Sequence, residues 1–226
     1  MPQAPYPWLK PAVFAGALVP LAALAIRGAQ GGLTADPVAY VLNQFGLLTL
    51  IFLIASLALT PIRALTGWPW PIRIRRMVGV FAFFYGSLHL LTYVAVDQGF
   101  DAGAIWKDLT KRKFIYVGFT AFLLLVPLAV TSTNRMVRRL GFARWQKLHR
   151  IAYLAGALGV LHFIWRVKRD LTVPLIYAGV VAALMLFRLV RSARGRAAAG
   201  PPSLFGLSAN AGVVRSGPRD ETLRHD

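Results

Sequence analysis

Histidine is the residue type in this sequence with the clearest capacity for cofactor chemistry. The four histidines are His89, His149, His162 and His225. The first three lie within or at the ends of apolar segments, where an imidazole is costly to bury and is by default a functional candidate. Its neutral ring nitrogen can ligate a metal, haem iron included. The alternative for any one of them is a packing histidine that makes a hydrogen bond. Cysteine is absent, so any metal must be held by nitrogen or oxygen.

The elements that would position these histidines are predicted to be membrane helices. Of the 226 residues, 57% are hydrophobic and 15% are charged, whereas an average soluble domain has about a quarter charged residues. Six apolar segments approach the ~20 residues that cross ~30 Å of hydrocarbon. The segments cover residues 10–27, 38–60, 74–96, 113–131, 147–166 and 172–190. We therefore predict an all-α integral membrane bundle of six transmembrane helices, embedded in a lipid bilayer.

The distribution of basic residues predicts the topology. Arginine and lysine in short loops prefer the cytoplasm, and the second and fourth loops are the most basic, with the acids before the tail confined to the opposite loops. This places residues 1–9 in the cytoplasm and makes residues 191–226 a cytoplasmic tail, whose composition is typical of disorder. The formal charge is +18, but the basic residues flank apolar segments, which argues against a nucleic-acid partner.

The spacing of two histidines predicts a shared site. The third and fifth segments run in the same direction, and His89 and His162 each lie about 15 residues into their own segment, which places them at similar depth. One haem could be clamped between them. Gly86 and Gly159 each precede a histidine by three residues and would leave room for a flat macrocycle on the same face. Close helix packing is the alternative role for these glycines.

The position of His149 predicts a second cofactor site near the cytoplasmic boundary. It precedes His162 by 13 residues, a rise of roughly 20 Å. The matching position before His89 is Arg76, whose guanidinium stays protonated and cannot ligate iron, so the second site has one histidine. On an ideal helix, His149 and His162 point roughly 140° apart. Either this helix is distorted or the two sites lie on different flanks.

Arginines near this boundary are further candidates for binding a cofactor. Arg76 and Arg150 belong to a basic cluster that positive-inside topology alone can explain. The alternative is that some members pair with haem propionates or a flavin phosphate, which suit the bidentate fork of arginine.

The sequence also resembles a known family. The segments that carry the resemblance are Leu59-Thr-Pro-Ile-Arg63, Arg75-Arg-Met-Val-Gly79, Phe83-Phe-Tyr-Gly-Ser-Leu-His-Leu-Leu-Thr-Tyr93, Thr131-Ser-Thr-Asn134, Arg138-Arg-Leu-Gly141, Trp145-Gln-Lys-Leu-His-Arg150 and Leu161-His-Phe-Ile-Trp165. Together they resemble the haem-binding membrane subunit of the bacterial periplasmic methionine-sulfoxide reductase system. That subunit belongs to the ferric-reductase-like transmembrane family, and the resemblance covers residues 10–190.

The resemblance implies a function, with cofactors and partners. It implies a b-type cytochrome subunit of the bacterial inner membrane that takes electrons from the quinone pool or a cytoplasmic flavin reductase. It implies that a periplasmic molybdopterin-containing reductase receives them and repairs oxidised proteins. One haem b is expected between His89 and His162 and a second is possible at His149. FMN is implied by resemblance alone, and the wider family has a fourth histidine where this chain has Arg76.

Two other functions remain open at this point. A ferric-reductase-like enzyme that acts with a separate flavoprotein would use the same histidines. A proton or metal-ion transporter would use them along a path, but such proteins usually add intramembrane carboxylates. None of the eight Asp and Glu residues falls within a predicted span, so we favour a non-catalytic electron-transfer subunit.

Overall fold

The computed structural model describes residues 6–198, with side chains described as far as residue 194. Within this part of the chain the secondary structure is helical and contains no strand. The helices are α1 Leu9–Ala29, α2 Pro37–Thr66, α3 Trp70–Leu91, α4 Ala102–Lys111, α5 Lys113–Val130, α6 Asn134–Leu140, α7 Phe142–Leu148, α8 Ile151–Arg166 and α9 Thr172–Ala198. A π-helical segment, Thr92–Asp97, continues α3.

Six helical segments in the described residues are long and apolar enough to cross a membrane. They are Leu9–Ala29, Pro37–Thr66, Trp70–Asp97, Lys113–Val130, Phe142–Arg166 and Thr172–Arg194. The predicted all-α bundle with six spans is therefore confirmed. The one acidic residue within these spans, Asp97, is the last residue of its segment.

Short polar side chains set several helix starts. The Asp36 carboxylate accepts a hydrogen bond from the backbone N–H of Ala39 at 3.0 Å, and a proline follows Asp36 at the first helical position. Both features favour a helix N-terminus, where the first backbone N–H groups have no partner within the helix. The carboxylate accepts one of these N–H groups, and proline lacks an N–H altogether. Before α9, the Asp170 carboxylate accepts the backbone N–H of Thr172 at 2.8 Å, and hydrogen bonding to Thr172 lowers the pKa of Asp170.

Two closely packed helix pairs form the centre of the bundle. Helix α2 packs along α3, and α5 packs along α8; contacts of α2 with α8 and of α3 with α5 join the two pairs. The main buried cluster takes residues from all four helices, namely Leu53, Leu57, Ala82, Leu125, Leu128, Ala152, Tyr153 and Ala155. The four helices thus enclose a common interior.

Helix α1 is attached to this centre through α3. The fully buried Tyr85 donates a hydrogen bond from its hydroxyl to the Ala17 carbonyl at 2.6 Å, and its ring stacks on Phe52 of α2 at 5.3 Å between centroids. Burying a tyrosine requires a partner for its hydroxyl. The Ala17 carbonyl meets that requirement.

The structure differs from the sequence prediction in three places. Two linkers between the predicted spans contain the short helices α4 and α6, which begin after the capping residues Asp101 and Thr133. The fifth predicted span is divided by a turn at His149–Arg150. Helix α9 continues to Ala198, so it enters the segment predicted as a disordered tail, and residues 199–226 lie outside the described residues. The chain divides into two units, Met1–Leu189 and Val190–Asp226.

Candidate haem-ligand pair

His89 of α3 and His162 of α8 lie side by side inside the bundle. Their ring centroids are 6.2 Å apart and their ring planes are 83° apart. Both rings are largely shielded by neighbouring helices. The structure therefore brings together the two histidines whose similar depth the sequence predicted. We call the end of the bundle that holds them the paired-histidine end; α2 and α5 begin there, and α3 and α8 end there.

A backbone carbonyl fixes the orientation of each imidazole. The Nδ1 atom of His89 lies 2.9 Å from the Leu42 oxygen, and that of His162 lies 2.6 Å from the Phe114 oxygen. A carbonyl oxygen can only accept, so each Nδ1 carries the proton and donates it. Each Nε2 is then the unprotonated nitrogen and is available as a ligand. Histidines that bind metals almost always donate their other ring N–H in this way.

The two rings are near enough that both could serve one prosthetic group as ligands, because their centroids are only 6.2 Å apart. Among the described residues, no group of three His, Cys, Asp or Glu could hold a metal ion. Haem requires only axial ligands from the protein, so the donor set fits haem.

The glycines next to these rings are not the ones that the sequence singled out. Gly86 faces Phe122 and Thr49, and Gly159 faces Leu50; both allow helices to pack closely, which was the alternative role. The glycines in contact with the rings are Gly46 of α2, beside His89, and Gly118 of α5, beside His162. Sequence reasoning missed both because they lie on the facing helices.

The π-helical segment begins three residues after His89. It is tied to α4 by a hydrogen bond from the Tyr93 hydroxyl to Asp108 at 3.2 Å. Asp108 also pairs with Arg112 at 3.2 Å. π-Helical segments are rare in proteins, and those that occur are often found at functional sites. Here the segment ends the helix that carries His89 and connects it to α4.

His149 lies at the other end of the four central helices, which we call the His149 end. Its Nδ1 donates to the Trp145 carbonyl at 3.1 Å, and its Nε2 lies 3.5 Å from the Ser132 hydroxyl. The Trp145 ring packs on the imidazole at 3.9 Å between centroids, and the indole N–H donates to the Thr131 carbonyl at 2.9 Å. These contacts hold His149 in one orientation.

A small pocket, partly open to the outside, adjoins His149. The pocket is lined by Leu53, Ser56, Leu57, Arg75, Arg76, Gly79, Leu125, Leu128, Ser132, Trp145, His149 and Ala152. The pocket combines an imidazole, two guanidiniums and two hydroxyls on apolar walls, which suits an anionic group.

The two candidate arginines are placed differently. Arg76 lines this pocket and donates to the side-chain oxygen of Asn134 at 2.6 Å. Arg150 is exposed at the turn before α8 and is not among the residues that line the pocket. Arg75, next to Arg76, is in the pocket instead, although the sequence gave no reason to prefer it.

Comparison with known proteins agrees with the membrane fold. The family described as "Ferric reductase like transmembrane component" matches residues 44–160, about half of the chain. This defines the class as a ferric-reductase-like membrane protein.

Individual relatives with high sequence identity identify the family within this class. A relative from Rhodospirillum rubrum, named protein-methionine-sulfoxide reductase heme-binding subunit MsrQ, is 54% identical over 85% of this chain and 92% of its own length. Relatives with the same name from Ralstonia nicotianae and Deinococcus radiodurans are each 50% identical over 84% of this chain, covering 89% and 94% of their own lengths. The chain belongs to the MsrQ family of ferric-reductase-like membrane proteins, which confirms the resemblance seen in the sequence.

Proposed function

We propose that this chain binds a b-type haem between His89 and His162 and serves as the membrane electron-transfer subunit of a protein-methionine-sulfoxide reductase. The observation that carries the proposal is the histidine pair, with a 6.2 Å separation between ring centroids and each Nδ1 bound to a carbonyl. The names of the relatives, which specify a heme-binding subunit of this reductase, support it.

The distribution of basic residues sets the proposed orientation of the protein in the membrane, and that orientation gives the proposed direction of electron transfer. The last turns of α2, the first turns of α3 and the segment from α6 to α7 are rich in arginine, and all lie at the His149 end. By the positive-inside rule this end faces the cytoplasm of a bacterial inner membrane, together with both termini. The chain then accepts electrons there, from quinone or a cytoplasmic flavin reductase, and delivers them at the periplasmic end to a molybdopterin-containing reductase.

Each part of the site has a physical role in this proposal. Bound haem supplies an iron that changes its oxidation state by one electron. The Leu42 and Phe114 carbonyls orient the two imidazoles, and the four surrounding helices partly shield them from water. Ligand basicity and solvent access are among the properties by which a protein tunes such a centre.

The pocket beside His149 is the proposed site at which electrons enter. Its arginines, Arg75 and Arg76, suit the carboxylates of a second haem or the phosphate of FMN. His149 is the one imidazole in the lining. A second haem there would thus take a single histidine from this chain. Arg150, exposed on the same side, remains a predicted contact for an anionic cofactor or a donor protein.

Haem content measured in single-histidine variants tests the proposal. We expect His89→Ala and His162→Ala each to remove most of the haem that a pyridine haemochrome assay detects in the purified protein. His225→Ala is the control and should retain the full content. Low-spin electron paramagnetic resonance signals should confirm two imidazole ligands in the unaltered protein. Retention of haem in both single variants would show that the ligands are assigned wrongly.

The remaining functions predict different results in the same preparation. A transporter that uses the histidines for protons or metal ions would show no Soret band. A ferric-reductase-like enzyme would reduce ferric chelates when supplied with a flavoprotein, and would do so without the periplasmic reductase. Reduction of methionine sulfoxide that requires both this chain and the periplasmic reductase supports the proposed function.

A further inference from the structure

The two ligand histidines are held by the same local arrangement on two different helices. His89 donates to the carbonyl of Leu42, and four residues later in α2 stands Gly46. His162 donates to the carbonyl of Phe114, and four residues later in α5 stands Gly118. Each arrangement is thus a carbonyl followed one helical turn later by glycine.

Helix geometry explains why the glycine stands at that spacing. In an α-helix the Cα–Cβ bond tilts toward the N-terminus, so a side chain covers the turn before its own Cα. A side chain at the fourth position after a carbonyl therefore covers that carbonyl. Glycine leaves it open, and the carbonyl oxygen has a second lone pair for a donor outside the helix.

The distances show that the rings fill the space a side chain would take. A Cβ atom added at Gly118 would lie 2.5 Å from Nδ1 and 2.7 Å from Cε1 of His162. One added at Gly46 would lie 3.2 Å from both Nδ1 and Cε1 of His89. The first distance forces the ring to move, and the second requires a shift of a few tenths of an ångström.

We propose that Gly46 and Gly118 are positioning residues that select the orientation of the haem ligands, by admitting each imidazole to its carbonyl. The proposal rests on the proposed function. The two glycines fix Nδ1 as the hydrogen-bond donor and Nε2 as the ligand. They also set the basicity of the ligands, because a hydrogen bond from Nδ1–H strengthens the imidazole as a donor to the metal.

The test compares Gly46→Ala and Gly118→Ala with Gly16→Ala and Gly179→Ala. The control glycines are exposed positions in α1 and α9, and an added Cβ there would meet nothing within 4 Å. All four changes replace a helical glycine by alanine, so their effect on helix propensity is similar. The measurements are haem affinity, the low-spin electron paramagnetic resonance spectrum and the midpoint potential.

We expect Gly118→Ala to weaken haem binding by about 10–100-fold, as loss of such supporting hydrogen bonds does, and Gly46→Ala to weaken it less. Both should change the low-spin spectrum and shift the midpoint potential to more positive values, since a less basic ligand stabilises ferric iron less. If both variants match the controls in all three measurements, the proposal is wrong.

Two further outcomes are decisive. If Gly118→Ala does not fold, Gly46→Ala decides the question, because its clash with the ring is smaller. If neither folds while both controls do, the glycines serve the fold, and the proposal is overturned. Absence of haem from the unaltered protein would overturn the proposed function itself, which is a separate result from unaffected glycine variants.

Discussion

Haem should stabilise this protein by linking its two central helix pairs. His89 lies on α3, which packs along α2, and His162 lies on α8, which packs along α5. A ligand that binds only the folded state stabilises it by RT ln(1 + [L]/Kd), which is about 2.7 kcal/mol when free ligand is 100 times Kd. For a chain of this size each kcal/mol shifts Tm by about 2–4 °C. We therefore expect saturating haem to raise Tm by about 5–11 °C.

His162→Ala should abolish most of this increase. The variant loses a ligand and the 2.6 Å hydrogen bond to Phe114, so haem no longer bridges α3 and α8. The assay is thermal unfolding of detergent-purified protein by far-ultraviolet circular dichroism, with and without haem. His225→Ala is the control and should keep the full shift. An equal haem-dependent shift in His162→Ala and in the unaltered protein would refute the reasoning, because it would mean that haem binds elsewhere.

Three other changes should have separable effects. Tyr85→Phe removes the 2.6 Å hydrogen bond to Ala17 and should destabilise the fold by about 0.5–1.5 kcal/mol in a thermal melt, with haem content unchanged. Asp108→Asn weakens the partly exposed contacts to Arg112 and Tyr93, and should cost at most about 1 kcal/mol, with a smaller cost in high salt; a larger, salt-independent loss would contradict this. His149→Ala should leave the low-spin spectrum of the paired-histidine site intact, since His149 lies at the opposite end; loss of that spectrum would show that the two ends depend on each other.

Much of the fold could be predicted because lipid imposes strong constraints on sequence. Apolar segments of about 20 residues identify the spans. Because successive spans cross the membrane in opposite directions, the third and fifth run the same way, and this places His89 and His162 at a similar depth. The short helices α4 and α6 were missed because their apolar content is low. Their starts were visible, however, as Asp101 and Thr133, whose side chains accept backbone N–H groups.

The detail of the site could not be predicted because it depends on which helices face each other. Spacing along α3 and α8 indicated Gly86 and Gly159, which share a helix with the histidines. The residues that matter to the rings, Gly46 and Gly118, belong to α2 and α5. A comparison of depth would have indicated them, because α2 and α5 run opposite to α3 and α8 and carry these glycines within their first three turns.

The break at His149 settles the geometric conflict between the two histidines of the fifth span. On an unbroken helix His149 and His162 would point roughly 140° apart. The turn that separates α7 from α8 is tighter than an α-helix: Arg150 bonds back to Lys147, and Ala152 to His149. His149 consequently lines a pocket among the four central helices, the same helices that surround His89 and His162. The same four helices therefore position the histidines at both ends of the bundle. Between them lie buried apolar residues at intermediate positions of every central helix, among them Leu53, Ala82, Leu125 and Ala155.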